Sequence, residues 1–435
     1  MKPTIHVSEN RRRLVREDGS PFFYLGDTVW ELFHRYSREE ADRYLRDRAA
    51  KGFTVVQAVA LAEMDGIHAP NPYGDLPFTN DDPHQPNEAY WRHVDWVMAR
   101  ANALGLVVGL LPTWGDKWNK IWGKGPEIFT DPAVARTFGG WIGARYREAD
   151  LIWILGGDRP LDTPLHRQVI DAMAEGLAEG DGGIHLRTFH PVGGQSSTPL
   201  HDAPWLDFHM LQSGHGRNTD NGKLIGETYS LQPAKPCLDA EPGYEDHPAG
   251  FDPSNGYLDD YDNRKALYWA LFAGACGHTY GCHPIWQKAN GDQANISWCR
   301  HLWEEALLLP GSGQMRHGKD LVLSRLFLSL VPDPGLIASE PGEGSHRAAA
   351  ARGEDGSYAF VYVPSSKPVK VDLSRLTGEA LNAWWFDPRS GVAESLAPVP
   401  REGVREFAPP SWGPDWVLCL DDAARRYGSP GVAQS

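Results

Sequence analysis

LIWILGGDRP (151–160) runs through consecutive large apolar residues and ends at an acid, Asp158. A strand with no polar face is covered on both sides, which is the situation of a parallel sheet wrapped by helices. Runs of the same kind recur along the chain: FFYLGDT (22–28), TVVQAVA (54–60), LVVGLLPTW (106–114), HLRTFHP (185–191), LDFHMLQSGH (206–215), KPCLDAEPGYE (235–245) and HTYGCHPIW (278–286). With 151–158 they number eight, as a closed barrel requires, and helical-looking stretches separate most of them. The expected fold class is α/β, a (β/α)8 TIM barrel.

Between the first two runs, SREEADRYLRDRAAKG (37–52) opens with Ser37 as N-cap and Glu40 three residues on, and closes at Gly52. EAYWRHVDWVMARANALG (88–105) puts Tyr90, Val94, Val97, Met98 and Ala101 on one helical face, a stripe that reads as core. Further helices are expected near 131–149, 161–180, 259–275 and 293–308, with irregular loops replacing or shortening the outer layer after the fifth and sixth strands. Two long Gly/Pro/Asn-rich loops, 61–88 and 246–258, are expected to wall the C-terminal mouth, where barrel sites are built.

Beyond residue 312 the pattern changes to short alternating runs, including AFVYV, VKVDL, LNAWWF and DWVLCLD, with turn signals at GEDGS (353–357) and FDPRSG (386–391). The expectation is a barrel over 1–312, a small antiparallel β-sandwich over 313–425, acting as a buttress, and a frayed tail over 426–435.

A net charge of −15 repels phosphate backbones and anionic membrane surfaces, so nucleic acid and membranes are set aside as partners. The five cysteines lack metal-ligand pairing and read as buried thiols. With no apolar leader in MKPTIHVSENRRRLV, a cytoplasmic setting is expected, although a trimmed secreted chain would look the same. Seventeen tryptophans supply flat rings that pack in cores and also stack on sugars.

Polar residues at the C-terminal ends of barrel strands face the site. Here they are Asp27, Gln57, Trp114, Asp116, Asp158, His190, His209, Gln212, Glu241, Glu245, His283 and Trp286. Hydrolysis of a glycosidic bond needs two carboxyls, one to protonate the leaving oxygen and one to attack or to activate water. Asp158, behind an apolar run that raises its pKa, suits the acid. Glu241, among candidate hydrogen-bond donors, suits an ionised partner. Substrate-binding candidates are Asp27, Trp30, Gln57, Trp114, His190, His209, Gln212, Tyr244, His283 and Trp286. Asp27 reads equally as a turn former, and each histidine as a structural one. No His-Glu-x-x-His, paired-Cys, dinucleotide or phosphate-loop motif occurs, so no metal or cofactor is expected and a metal-dependent hydrolase is the weaker rival. A carbohydrate- or protein-binding barrel without catalysis is the other alternative, separated by turnover. Oligomeric state is left open.

PFFYLGDTVWELFHR (21–35), LIWILGGDRP, KPCLDAEPGYE and FAGACGHTYGCHPIW (272–286) resemble apiosidase-like barrels, glycoside hydrolase family 140. NAWWFDPRSG (382–391) is similar to the collagen-binding-like C-terminal β-domain found in related chains. The resemblance implies a retaining mechanism, with Asp158 as acid/base and Glu241 as nucleophile, and removal of apiose or another terminal sugar from an oligosaccharide or small glycoside.

Overall fold

In the computed structural model, which describes residues 5–291, 296 and 298–432, eight parallel strands form the barrel. They are Tyr24–Thr28, Val55–Val59, Val107–Leu111, Leu151–Gly156, Arg187–His190, His209–Gln212, Cys237–Asp239 and Gly277–Gly281. The ladder is continuous around the ring except between the fifth and sixth strands, where Asp207 N–H donates to Arg187 O (2.9 Å) and the Thr188 hydroxyl to Phe208 O (2.7 Å). The seventh strand is shorter than its apolar run, because Pro236 and Pro242 bracket it and cannot donate to a ladder.

The outer helices are Arg38–Ala50, Glu88–Ala103, Pro132–Tyr146, Pro164–Asp181, Asn221–Tyr229, Asp260–Phe272 and Pro310–Leu323. Ser37 and Glu40 form the expected capping box, and the 88–103 helix buries the expected stripe. After the fifth strand there is only a short 3-10 turn, Thr198–Leu200. The helix expected over 293–308 lies partly outside the described residues, and within the described part only Trp303–Ala306 is helical. The helix that follows the eighth strand is Pro310–Leu323, so the expected junction at 312 falls inside it. Its three glycines are poor helix formers, yet Gly318 lets Leu267 approach to where a Cβ would stand 2.5 Å away. Tertiary packing overrides the poor propensity.

The first described residues form a small antiparallel sheet that the sequence reading did not foresee: Ile5–Val7, Leu14–Arg16 and Pro21–Phe22. Ile5, Leu14 and Phe22 pack against Tyr24, Val55, Val107 and Ile152 and plug the N-terminal end of the barrel. The opposite, C-terminal end carries the cavity described below.

Beyond Leu330 a seven-stranded antiparallel sheet centres on Tyr358–Val363, Trp416–Asp422 and Ala380–Phe386, and a separate ladder pairs Val369–Asp372 with Val404–Phe407. Alternation divides the strand 358–363 between two cores. Ala359 and Val361 pack inward with Val371, Leu381 and Leu418, while Phe360 and Tyr362 point at the barrel. Phe360 stacks on Phe272 (5.9 Å) and Tyr362 on Tyr268 (4.8 Å). Arg264–Asp415 (2.9 Å) and Arg325–Asp421 (2.7 Å) are ion pairs buried in the same junction. The tail is anchored rather than frayed up to Val432: Arg325 donates to Gly428 O (3.0 Å) and Gly431 N–H to Ser324 Oγ (3.1 Å). Residues 433–435 lie outside the described ones. Among the described residues no helix is long and apolar enough to cross a membrane, and all five cysteines are free.

Candidate active site

The strand Leu151–Gly156 leaves the barrel through Gly156, Gly157 and Asp158, whose φ angles are 95°, 101° and 58°. A Cβ on Gly156 would stand 2.4 Å from His190 O, and one on Gly157 2.8 Å from Gly115 N. Only glycine fits a left-handed backbone pressed this closely on its neighbours. Aspartate tolerates the same region better than most residues, and the turn brings its carboxyl to the barrel mouth. Burial, and then the negative charge of Glu241, push the Asp158 carboxyl up to about 6, against the opposing effect of His190 and Arg159.

Glu241 lies two residues past the seventh strand. Its backbone is tied down on both sides: Gln57 Nε2 donates to Ala240 O (3.1 Å), and Gly214 N–H donates to Glu241 O (3.1 Å). His190 Nε2 is 3.1 Å from one carboxyl oxygen and His215 Nε2 3.3 Å from the other. Burial alone would raise this group, but the two imidazoles outweigh it and hold Glu241 well below the usual carboxylate range. Tyr244 N–H donates to His215 Nδ1 (3.4 Å), so the His215 ring proton is on Nε2, facing Glu241. Asp239, two residues earlier, is occupied by Ser213 Oγ (2.6 Å) and Asn221 Nδ2 (3.0 Å).

Asp158 and Glu241 line one cavity of about 430 Å³ at the C-terminal mouth. Trp30, Trp114 and Trp286 provide aromatic walls, with Trp30 and Trp114 5.1 Å apart. Tyr244, Gln212 and His283 line it as well. The Trp114 indole N–H, the Tyr244 hydroxyl and Gln212 Oε1 are buried with no well-formed hydrogen bond among the described residues, leaving polar atoms for a hydroxylated ligand. His247 stacks on His215 (4.1 Å) and lies 4.5 Å from His283. Burial, with His215 and His283 adding to it, pushes His247 down to about 2. Its Nδ1 donates to Pro248 O (2.7 Å), so the neutral ring has an acceptor at Nε2.

Four expected contacts fall elsewhere. Asp27 turns outward from the barrel, where Tyr44 OH (2.6 Å) and Arg48 bind its carboxyl; its neighbours Gly26 and Thr28 are the inward positions of that strand. His209 also points outward, bonded to Ser197 Oγ (2.8 Å) and His201 Nδ1 (2.9 Å). Being three residues from Gln212, it cannot share a strand face with it. Gln57 is inside the barrel but below the cavity, joined to Tyr24 OH (3.0 Å) and Ala240 O. His190 lies beneath Glu241 and is wholly buried.

Cavity residues not anticipated are Glu63, Trp122, His215, His247 and Phe251. His215 closes the quoted sixth run, and Glu63, His247 and Phe251 belong to the two loops expected at the mouth, so residue type plus loop position was the available signal. Glu245, by contrast, is a packing group. It accepts from Tyr280 OH (2.5 Å) and Gly311 N–H (3.1 Å) at the start of the 310–323 helix, and burial raises it to about 7. Asp116 pairs with Lys117 (2.6 Å). Among the described residues no group of three His, Cys, Asp or Glu side chains is arranged to hold a metal ion.

The family profile "Apiosidase-like, catalytic domain" matches residues 8–329, and "Putative collagen-binding domain of a collagenase" matches 331–421. Among solved structures, one described as a glycoside hydrolase is 33% identical, covers 98% of both chains and superposes with a TM-score of 0.90. A glycoside hydrolase family 5 structure from Bacteroides vulgatus is 33% identical over 98% of this chain and 95% of its own, with a TM-score of 0.89. A second structure from that organism shares the fold at 14% identity and a TM-score of 0.70. No curated protein matches the chain.

Proposed function

Given that the chain belongs to the apiosidase-like family of glycoside hydrolases, we propose that it is a retaining, exo-acting glycosidase, with Asp158 as acid and base in turn and Glu241 as nucleophile. The observation that carries this assignment is the opposite treatment of two carboxyls in one cavity. Burial keeps Asp158 protonated toward neutral pH, while His190 and His215 keep Glu241 ionised. Glu241 attacks the anomeric carbon as Asp158 gives its proton to the leaving oxygen; that carbon–oxygen bond breaks and a glycosyl ester forms on Glu241. Asp158, now anionic, takes a proton from the water that cleaves the ester. Retention is what the family resemblance supports, and it requires the two carboxyls to stand about 5–5.5 Å apart rather than the wider spacing of about 6.5–9.5 Å that admits a water between them.

The exo reading rests on a walled pocket rather than an open groove. Loops 61–88 and 246–258 rise beside the mouth, and the tryptophan walls suit the C–H faces of one terminal sugar. The substrate class is an oligosaccharide or small glycoside ending in an apiose-like furanoside or another terminal sugar. Hydrolysis of a panel of aryl pyranosides and furanosides, β-apioside among them, by wild type and by Glu241→Gln tests the assignment. Turnover that the substitution abolishes supports it, and turnover that the substitution leaves intact removes Glu241 from the mechanism.

A further inference from the structure

Arg159 joins three groups on one side of the cavity. Its Nη1 is 3.5 Å from Asp158 Oδ2, its Nη2 is 3.6 Å from Glu63 Oε1, and its guanidinium carbon lies 3.9 Å over the Trp122 ring. It also donates to Asp158 O and Trp122 O, both at 2.7 Å. Glu63 and Trp122 are therefore on the Asp158 side of the cavity, whereas Glu241 is held from another side by His190 and His215.

In the reaction proposed above, the group that departs with the proton of Asp158 occupies the acid's side. Two unlike surfaces meet it there. Trp122, with one face covered by the guanidinium and 43% of its surface exposed, offers an aromatic platform. Glu63 offers a carboxyl whose charged partner among the described residues is Arg159 alone, at a distance too long for a good hydrogen bond. An alkyl or aryl leaving group would cover that carboxyl without bonding to it, which is costly. A sugar ring, with C–H faces and hydroxyls around its edge, satisfies both surfaces at once. We propose that Glu63 and Trp122 form the leaving-group subsite and that its natural occupant is a second sugar ring, so that the substrate is a disaccharide or longer chain. Burial and the neighbouring Asp158 raise Glu63 to about 8, so its carboxyl can donate as well as accept toward sugar hydroxyls.

This inference rests on the glycosidase reading, and its test separates the two. Wild type, Glu63→Ala, Glu63→Gln and Trp122→Ala are compared on two compounds sharing one glycone, a nitrophenyl glycoside and the corresponding disaccharide with glucose as leaving group. The readout is the ratio of kcat/KM for the disaccharide to that for the aryl glycoside. Glu63→Ala is expected to lower this ratio at least tenfold and Glu63→Gln to restore part of it, because the amide keeps both a donor and an acceptor. Ratios within about twofold of wild type for Glu63→Ala and Trp122→Ala would overturn the subsite. A wild type that cleaves no aryl glycoside and no disaccharide would remove the glycosidase reading itself, and the subsite with it.

Discussion

His215 Nε2 lies 3.3 Å from a carboxyl oxygen of Glu241, and its other ring nitrogen accepts from the backbone of Tyr244, so the proton between imidazole and carboxyl is fixed by the main chain. Replacing His215 by Ala removes one of the two groups that keep Glu241 ionised. We expect kcat/KM to fall about 10–100-fold and its acid limb to move to higher pH, since the Glu241 pKa rises. A pH–rate profile that falls in height without moving would mean that His215 only shapes the pocket.

For Asp158, the acid form is the active one, and burial pushes its pKa up to about 6, above the usual aspartate range. The alkaline limb of kcat/KM is therefore expected near that value, and Asp158→Asn is expected to abolish the limb while costing at least about 10² in rate. The loss should be smaller for a nitrophenyl glycoside than for an alkyl glycoside, because a good leaving group needs less protonation. Equal losses on both would argue against the acid role.

The same carboxyl makes a prediction about stability. A buried acid with a raised pKa binds more protons folded than unfolded between about pH 4 and 6, so it favours folding below that window and loses the advantage as pH rises through it. Asparagine carries no charge and also adopts the left-handed φ of 58° found at this position. Asp158→Asn is expected to melt about 1–3 °C above wild type at pH 8 and near wild type at pH 4, measured by thermal unfolding. A variant less stable at pH 8 would contradict this reading.

His209 and Asp27 separate position in the strand from contact with substrate. Both face the helical layer, so His209→Ala and Asp27→Asn are expected to lower thermal stability while leaving KM within about threefold. Asp27→Asn leaves buried Arg48 with only the half-buried Asp47 as counter-ion, for which a loss of up to about 3 kcal/mol is expected, read from denaturant unfolding. A tenfold rise in KM for either would restore it to the substrate site.

The junction of the two domains predicts joint unfolding. Deleting residues 313–435 is expected to give an insoluble barrel, because it removes all but the first three residues of the 310–323 helix and uncovers Tyr268 and Phe272. In the full chain, Arg264→Met strands Asp415 in the interior and should lower one cooperative transition for both domains. Two separate melting transitions would show that the C-terminal domain is an independent module.

The eight strands were legible because a covered strand writes itself as a continuous apolar run, and the 37–52 helix because its cap residues are local. Asp158 and Glu241 were singled out by strand-end position, and both line the cavity. Parity decided where the reading failed: Asp27 is out of phase with Gly26 and Thr28, and His209 with Gln212, once the register is known. The N-terminal plug was missed because its strands are two or three residues long, too short for periodicity to register. Glu63 and Trp122 come from loops whose path depends on contacts such as that with Arg159, far away in the chain.

The two-sided strand Tyr358–Val363 has a consequence for biosynthesis. Phe360 and Tyr362 complete a core shared with Tyr268 and Phe272, so the barrel cannot finish packing when its own last helix leaves the ribosome. The roughly 100 residues that follow take about 5–20 s to translate at ordinary elongation rates. Over that interval the nascent chain carries an aromatic face that only its own later residues can cover, which makes it a natural client for a chaperone that binds exposed rings.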